Sequence, residues 1–507
     1  MLDAVGAVET TFGQVNSVMV TAVLGVIVTV LALRTIVRPK GFPPGPRGLP
    51  VVGSIYDMTD RPDIIFDKWA KKYGDVFGFK AGERWMVVLN RKDAIKEAIL
   101  KQGVEFANRP WFYSVEIFSE GFKDIVFGFY SDTWKLHRKL GHTALRQFAT
   151  GKRLDGLLHS VFPKFERALE ENNGRPVDPK LMITLLLYNM LSTMCFGKVY
   201  EFKDPRLEKW REVMDRATDQ IGYGLAADFF AFARYVPTSG PRLLKESSDE
   251  ILSVIRPEVE NHKKNFNPDK VNDLIDLLLA AKKEAEDANS PDVDKLTDTH
   301  LVQTVVDMFS AGINTSTETL YWAMALMAEH PDVQTKVRQE IDDVIGRDHL
   351  PEIGDRGSLP YAEATLYEIM RYSSLLPIAL PHSTMKDTTL HGFRIPKDTI
   401  VIINTYSMHY DPKEWDDPES FKPEHFLDNS GMVRQHPPSF LPFGAGRRSC
   451  LGEAVAKADL FIIFTWLMQN YTFSKVPGKE RENLLKVTAA PTARFLSEYQ
   501  IVIKKRD

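Results

Sequence analysis

The stretch FGAGRRSCLG (443–452) sets a cysteine, Cys450, between a glycine turn carrying two arginines and the start of a long apolar helical run. Free N–H groups and the dipole at a helix start favour a thiolate, which then serves as a metal ligand or a nucleophile. Glycines 444, 446 and 452 remove side chains and permit turns closed to other residues, letting a flat ligand approach the backbone. A phosphate loop is a poor match, because no strand precedes the turn and no Gly-Lys-Ser/Thr ends it. A nucleophilic cysteine needs an activating base, and no neighbour supplies one. A metal ligand and an inert turn cysteine are what the residues themselves leave open.

Three other stretches combine suggestive types and spacing. In SAGINTSTETL (310–320), Gly312 and Thr315 occupy the centre of a long helical run. Glycine weakens a helix, and a threonine hydroxyl bonding back to a carbonyl bends one. Two helices meet there through small residues, or the helix opens locally toward a ligand and water. In YEIMRYSS, Glu368 and Arg371 stand at i and i+3 and can pair. In DTWKLHRKLGH, Trp134 and Arg138 stand at i and i+4 on one helical face. Read alone, they make an amphipathic helix with a snorkelling arginine.

The elements that must position these residues are mostly helices. Apolar periodicity predicts helices over 92–102, 132–148, 178–195, 205–222, 245–265, 272–286, 298–329, 332–345, 361–373 and 451–470. Strand signals lie at 75–82, 84–90, 388–395, 399–404 and the C-terminus. The fold class is therefore mainly α with a minor β-sheet. Residues 54–507 read as one domain, led into by GFPPGPRGLPVVG (41–53), whose prolines hold the chain extended as a stiff hinge.

Residues 1–40 differ from the rest. No charged residue lies between Thr10 and Leu33, and Arg34, Arg38 and Lys40 follow that run. About 20 apolar residues cross a bilayer core. The basic flank puts the body of the protein in the cytosol behind a single-pass membrane anchor. A cleaved signal peptide would show the opposite charge order. The ending VIKKRD reads equally as an endoplasmic-reticulum retrieval signal or as two solvated lysines closing a strand. The net charge of −4 and the lack of charge blocks exclude a nucleic-acid surface. Two cysteines cannot build a disulfide framework, and Cys195, in NMLSTMCFG, reads as core packing.

Taken together, the segments resemble the cytochrome P-450 family. Phe443, Gly446, Arg448, Cys450 and Gly452 match its haem-ligand signature, and Ala311, Gly312, Thr315 and Ser316 its oxygen-activation motif. Glu368 and Arg371 match its Glu-x-x-Arg, with His425 of Pro423-Glu424-His425-Phe426 as the third member. The resemblance implies haem b bound axially by the Cys450 thiolate, with Trp134, Arg138, His382 and Arg448 on the propionates. Thr315, with Asn314 and water, would guide protons. Asn314 departs from the usual Asp or Glu, and an amide holds water but supplies no proton. Ser374 stands where the family often has proline, and Pro377 comes later.

Within the family, the cysteine region and RPWFYSVEIFSEGFKDIVFGFYSDTW (109–134) are similar to the steroid 17α-hydroxylase/17,20-lyase group and its arene-oxidising relatives. That similarity implies insertion of one oxygen atom from dioxygen into a lipophilic small molecule, a steroid first and a planar arene or xenobiotic second. Tyr113, Phe127, Ala311, Leu376 and 487–490 would line the pocket. No flavin or nicotinamide motif is present, so electrons would come from an NADPH-cytochrome P-450 reductase of the endoplasmic reticulum membrane, with cytochrome b5 as a helper. Lys135, Arg138, Lys139, Arg447 and Lys457 could dock such a partner. A haem-thiolate isomerase and a haem-binding sensor are the competing classes, and the presence of Thr315 disfavours the isomerase.

Overall fold

The computed structural model describes residues 37–506 apart from 59–60, 150–151, 173 and 489–491, together with isolated positions between 19 and 26. The chain opens with helix α1 (Pro62–Tyr73), strands β1 (Val76–Ala81) and β2 (Arg84–Leu89), and α2 (Arg91–Lys96), which runs into a π turn at Glu97–Lys101. The helical body follows: α3 (Tyr113–Phe118), α4 (Asp132–Ala149), α5 (Lys152–Glu171), α6 (Lys180–Phe196), α7 (Pro205–Tyr223), α8 (Ser239–Asn265), α9 (Leu274–Asp287), α10 (Asp298–Glu329), α11 (Pro331–Val344) and α12 (Pro360–Ser373). Strands β3 (His382–Ser383), β4 (Thr388–Leu390), β5 (Phe393–Ile395) and β6 (Ile400–Ile403) precede α13 (Glu453–Asn470), β7 (Tyr471–Lys475) and β8 (Ile501–Lys505).

The main sheet has the order β1-β2-β6-β3, with β2 parallel to β6 and the other pairs antiparallel. Each predicted helix is present within a few residues of its expected ends, except that α8 begins six residues early at Ser239. The stretch 388–395 is not one strand but a hairpin, because His391 and Gly392 both take positive φ and reverse the chain. Helices α1, α3 and α5 were not foreseen. Pro62 sits in the first turn, where a missing N–H costs nothing, and Pro163 lies inside α5, where proline ordinarily signals a break.

α10 runs through the centre of the helical body. It is buried on every side along Leu301–Phe309 and again along Ser316–Ala328, which an all-round apolar helix requires. Cys195 packs in the same core, where burial pushes its thiol well up, as its apolar context predicts. The proline-rich lead is no free spacer. Pro44 O accepts the Gly78 N–H at 2.7 Å, and a Cβ on Gly45 would stand 2.0 Å from Gly78 O, so only glycine lets the lead lie against β1. Among the described residues no helix is long and apolar enough to cross a membrane. The expected anchor over 1–40 lies almost wholly outside them; Met19, Val23 and Val26, which are described, are helical and exposed. At the other end Lys505 is ion-paired with Glu166 and Glu170 at 2.8 and 2.6 Å.

α8 and α9 are joined by a histidine whose two ring nitrogens both face acceptors. His262 Nδ1 donates to Glu258 O at 2.7 Å and Nε2 to Asp273 Oδ2 at 2.9 Å, so both carry protons. The Asp273 hydrogen bond raises the imidazolium from 6.5 to about 9. A raised folded pKa makes this stabilisation complete below pH 6.5 and removes it as pH climbs through about 9. After discounting for solvent screening, the contribution is about 1–2 kcal/mol. The unfolding free energy of the wild type from urea titrations should fall by that amount across this window, while that of His262→Asn should begin lower and stay flat.

Candidate active site

α13 begins immediately after the cysteine turn, with Gly452 as its N-cap. The turn folds back on itself: the Cys450 N–H donates to Phe443 O at 2.8 Å. Gly446 has φ +71°, and a Cβ there would stand 2.3 Å from Ile99 O, so no other residue fits. Gly452 corrects the expectation for glycines. Its φ is −87° and nothing lies near its missing side chain, so the protein itself does not require glycine there. Cys450 is exposed at the mouth of the turn. Surrounding protein nonetheless pushes its thiol up, against the opposing pull of the Gly452 and Glu453 N–H groups and of Arg138. The helix start therefore does not ionise the sulfur unaided, and a bound cation would have to do so.

Beside the sulfur lies a cluster of guanidiniums, Arg138, Arg448 and Arg109, with buried Asp124 as a nearby carboxylate. Trp134 is buried with Arg448 stacked 3.9 Å from its ring centroid and Arg138 at 5.4 Å. Arg448 donates only to backbone carbonyls, Ala107 O at 2.7 Å and Gly128 O at 2.6 Å, and Arg138 to Ser449 O at 2.5 Å. Burial, with Arg109 and Arg138 nearby, brings Arg448 down to about 8. Such a cluster calls for carboxylates, and a soft sulfur with adjacent guanidiniums suits a metal macrocycle bearing two acid groups. The residues present therefore fit haem. His382 fits less directly. Its Nδ1 hydrogen goes to Phe106 O at 2.7 Å, and burial with Arg109 and Arg448 holds the ring neutral, at about 3. It could donate to a propionate only after that anion restored its second proton.

In α10 the burial is interrupted at one place: Ala311 is exposed and Ser310, Gly312, Asn314 and Thr315 are half-buried. Both meanings of the glycine–threonine pair apply here in part. A Cβ on Gly312 would meet Leu191 of α6 at 3.1 Å, a small-residue helix contact. Thr315 Oγ1 donates to Ala311 O at 2.7 Å, while the helix runs unbroken from Asp298 to Glu329 without the local opening expected. Asn314 Nδ2 donates to Thr218 Oγ1 of α7 at 2.9 Å, which ties its amide to a neighbouring helix. Thr218 was not foreseen, since only its position on a crossing helix marks it.

Glu368 and Arg371 of α12 are each 0% exposed and joined by two 2.7 Å hydrogen bonds. Arg371 also donates to the carbonyls of His409, Pro418 and Ser420, and Glu368 accepts from Lys422 N and His425 Nδ1. The triad expected from the sequence is thus assembled. Of the expected pocket residues, Ala311 and Leu376 are exposed and Phe127 is half-buried. Tyr113 stands with Trp111 and Arg234, the latter 4.0 Å over Trp111. Positions 489–490 of the expected 487–490 stretch lie outside the described residues.

The sequence matches the family described as Cytochrome P450 over residues 43–495. It is 34% identical to the steroid 17-alpha-hydroxylase/17,20 lyase of Ictalurus punctatus over 496 residues, 95% of each chain. The protein of the same name from Squalus acanthias is 35% identical over 87% of each. Cytochrome P450 1A1 of Chelon auratus is 32% identical, over 92% of this chain and 93% of its own. A match of this extent, on a helical body that brings a cysteine and a cluster of guanidiniums together, settles the family: the chain is a cytochrome P450, a haem-thiolate monooxygenase with cysteine-bound iron.

Proposed function

We propose that this monooxygenase hydroxylates a steroid. Haem, when bound, supplies the oxidising chemistry at its iron, and the chain's own residues hold, orient and shield. Cys450 would hold the iron, and Arg138 and Arg448, with His382 once protonated, the acid groups; Trp134, whose one N–H donates to Ile125 O at 2.8 Å, would join them only by turning from that carbonyl. Thr315 would pass a proton from Oγ1 by turning from the Ala311 carbonyl. Asn314, lacking an acidic proton, would position rather than supply one. The observation that carries the steroid reading is the Asn314–Thr218 pair. It puts a polar group where α7 crosses α10, beside exposed Ala311, and a keto or hydroxyl group can join such a pair while an unsubstituted arene cannot. Thr218→Val should weaken steroid binding about fivefold, one neutral hydrogen bond of about 1 kcal/mol, and leave planar arenes unaffected in spectral titrations. Equal loss for both classes would remove the steroid assignment. Oxidation of planar arenes is the second reading, supported by half-buried Phe127 and Tyr113 among the expected wall residues. Turnover with reductase, NADPH and a panel of both classes, followed by mass spectrometry, decides between them. Product from hydroperoxide alone would point to an isomerase, and binding without product to a sensor.

The electron partner is an NADPH-cytochrome P-450 reductase, with cytochrome b5 as a helper, both at the endoplasmic reticulum membrane to which residues 1–40 would anchor the chain. A cavity of about 720 Å³ beside the cysteine turn supports this, being lined by Lys101, Lys135, Lys139, His142 and Arg447. Lys457 does not join it; its ammonium pairs with Glu453 at 2.6 Å. Lys139→Ala should slow the first electron transfer by about twofold to fivefold at low salt and by less at high salt. An unchanged rate at low salt would exclude Lys139 from the dock.

A further inference from the structure

Segment 124–128 has no regular secondary structure, yet it is held from four sides. Val126 O accepts Arg109 Nε at 3.0 Å, Ile125 O accepts Trp134 Nε1 at 2.8 Å, and Gly128 O accepts Arg448 Nη2 at 2.6 Å. The fourth hold comes from Asp307 of α10, whose Oδ2 accepts the N–H groups of Ile125 at 2.6 Å and Val126 at 3.2 Å. Asp307 lies one turn before Ala311, on the same face as Thr315. Asp124 completes the arrangement. Its Oδ2 accepts the Phe127 N–H at 2.7 Å, while its Oδ1 is buried with no hydrogen-bond partner. Both aspartates are buried.

An unpartnered oxygen of a buried carboxylate is costly, and two adjacent carboxylates out of water cannot both stay ionised. One hydrogen resolves both difficulties if it sits between the two groups. We propose that Asp124 and Asp307 share a single proton, and that this carboxyl–carboxylate hydrogen bond is the clasp fastening segment 124–128 to α10. The charged groups facing the pair are Arg109 and Arg448, and both act on Asp124. They hold Asp124 as the ionised partner and leave the proton on Asp307. The shifts agree with this division: burial raises Asp124 to about 6 against the pull of the arginines, and burial with the neighbouring Asp124 carboxylate raises Asp307 well above the ordinary range. The clasp fixes the carbonyls that orient Trp134 and Arg448, and with them Phe127. On the reading given above, which this consequence rests on, it couples the cofactor cradle to the pocket wall. Loss of the proton in mild alkali would set two carboxylates against each other and release the segment.

Amide hydrogen exchange of Ile125–Phe127 in the full-length protein, corrected for the intrinsic pH dependence, tests the clasp. Wild-type protection should drop about tenfold or more on passing from neutral to alkaline pH. In Asp307→Asn the amide accepts both backbone N–H groups and donates to Asp124, as the protonated acid does. It should keep the neutral protection and lose the alkaline drop. Asp307→Ala should be unprotected throughout, and circular dichroism confirms that each variant is folded. Infrared difference spectra should show a protonated-carboxyl band in the wild type that Asp307→Asn removes. Absence of that band, or Asp307→Asn losing protection at neutral pH while the wild type ignores alkali, would show Asp307 to be a plain ionised acceptor and overturn the proposal. Neither readout involves iron or turnover, so the clasp and the haem-thiolate reading fail separately.

Discussion

Cys450→Ser will fold and will not turn over. The cysteine is exposed, so losing its sulfur removes no core packing, and stability should change by no more than about 0.5 kcal/mol. Function should be lost outright. The sulfur is the soft donor of this turn, and the surrounding protein already opposes its ionisation when no cation is bound. A serine hydroxyl ionises with far greater difficulty and is a poor match for iron that needs a thiolate's electron donation. The carbonyl complex of the reduced variant should lose the spectral position given by thiolate ligation, and reductase-supported product should fall below detection. A variant that kept both its pigment and its turnover would sink the assignment of Cys450 as the axial ligand.

The second large effect concerns the proximal framework. Arg371→Ala should destabilise by about 3–5 kcal/mol, because it leaves the Glu368 carboxylate buried without its partner. Against a total stability of about 5–15 kcal/mol, that is enough to deplete folded protein. Arg371→Lys should be nearly as harmful, since an ammonium cannot reproduce the paired contacts to Glu368 together with those to three carbonyls. The double change Glu368→Leu with Arg371→Leu sharpens the test. A simple buried ion pair is often replaceable by apolar residues. Here the guanidinium also satisfies the carbonyls of His409, Pro418 and Ser420, so the double variant should remain destabilised. Recovery to wild-type denaturant midpoints would show that the arginine serves only to neutralise Glu368.

The sequence by itself determined the helical body, the cysteine turn, the glutamate–arginine pair and the tryptophan–arginine face, because each is written in spacing along one element. Helical periodicity and i, i+3 or i, i+4 neighbours are local properties, and they survive folding unchanged. Even so, α5, with Pro163 inside it, was not foreseen, although α8 was with Pro257 inside it, and the hairpin at His391–Gly392 was read as one strand, since there the local signal and the final geometry disagree. The tertiary structure alone decided what the polar groups do. Only the crossing of α7 over α10 gives Asn314 to Thr218, and only the docking of segment 124–128 brings Asp124, distant in sequence, to Asp307. The protonation of Cys450, His382 and that aspartate pair belongs to the same class. Protonation follows burial and neighbouring charge, which are set by chain segments that meet only when the whole core has closed.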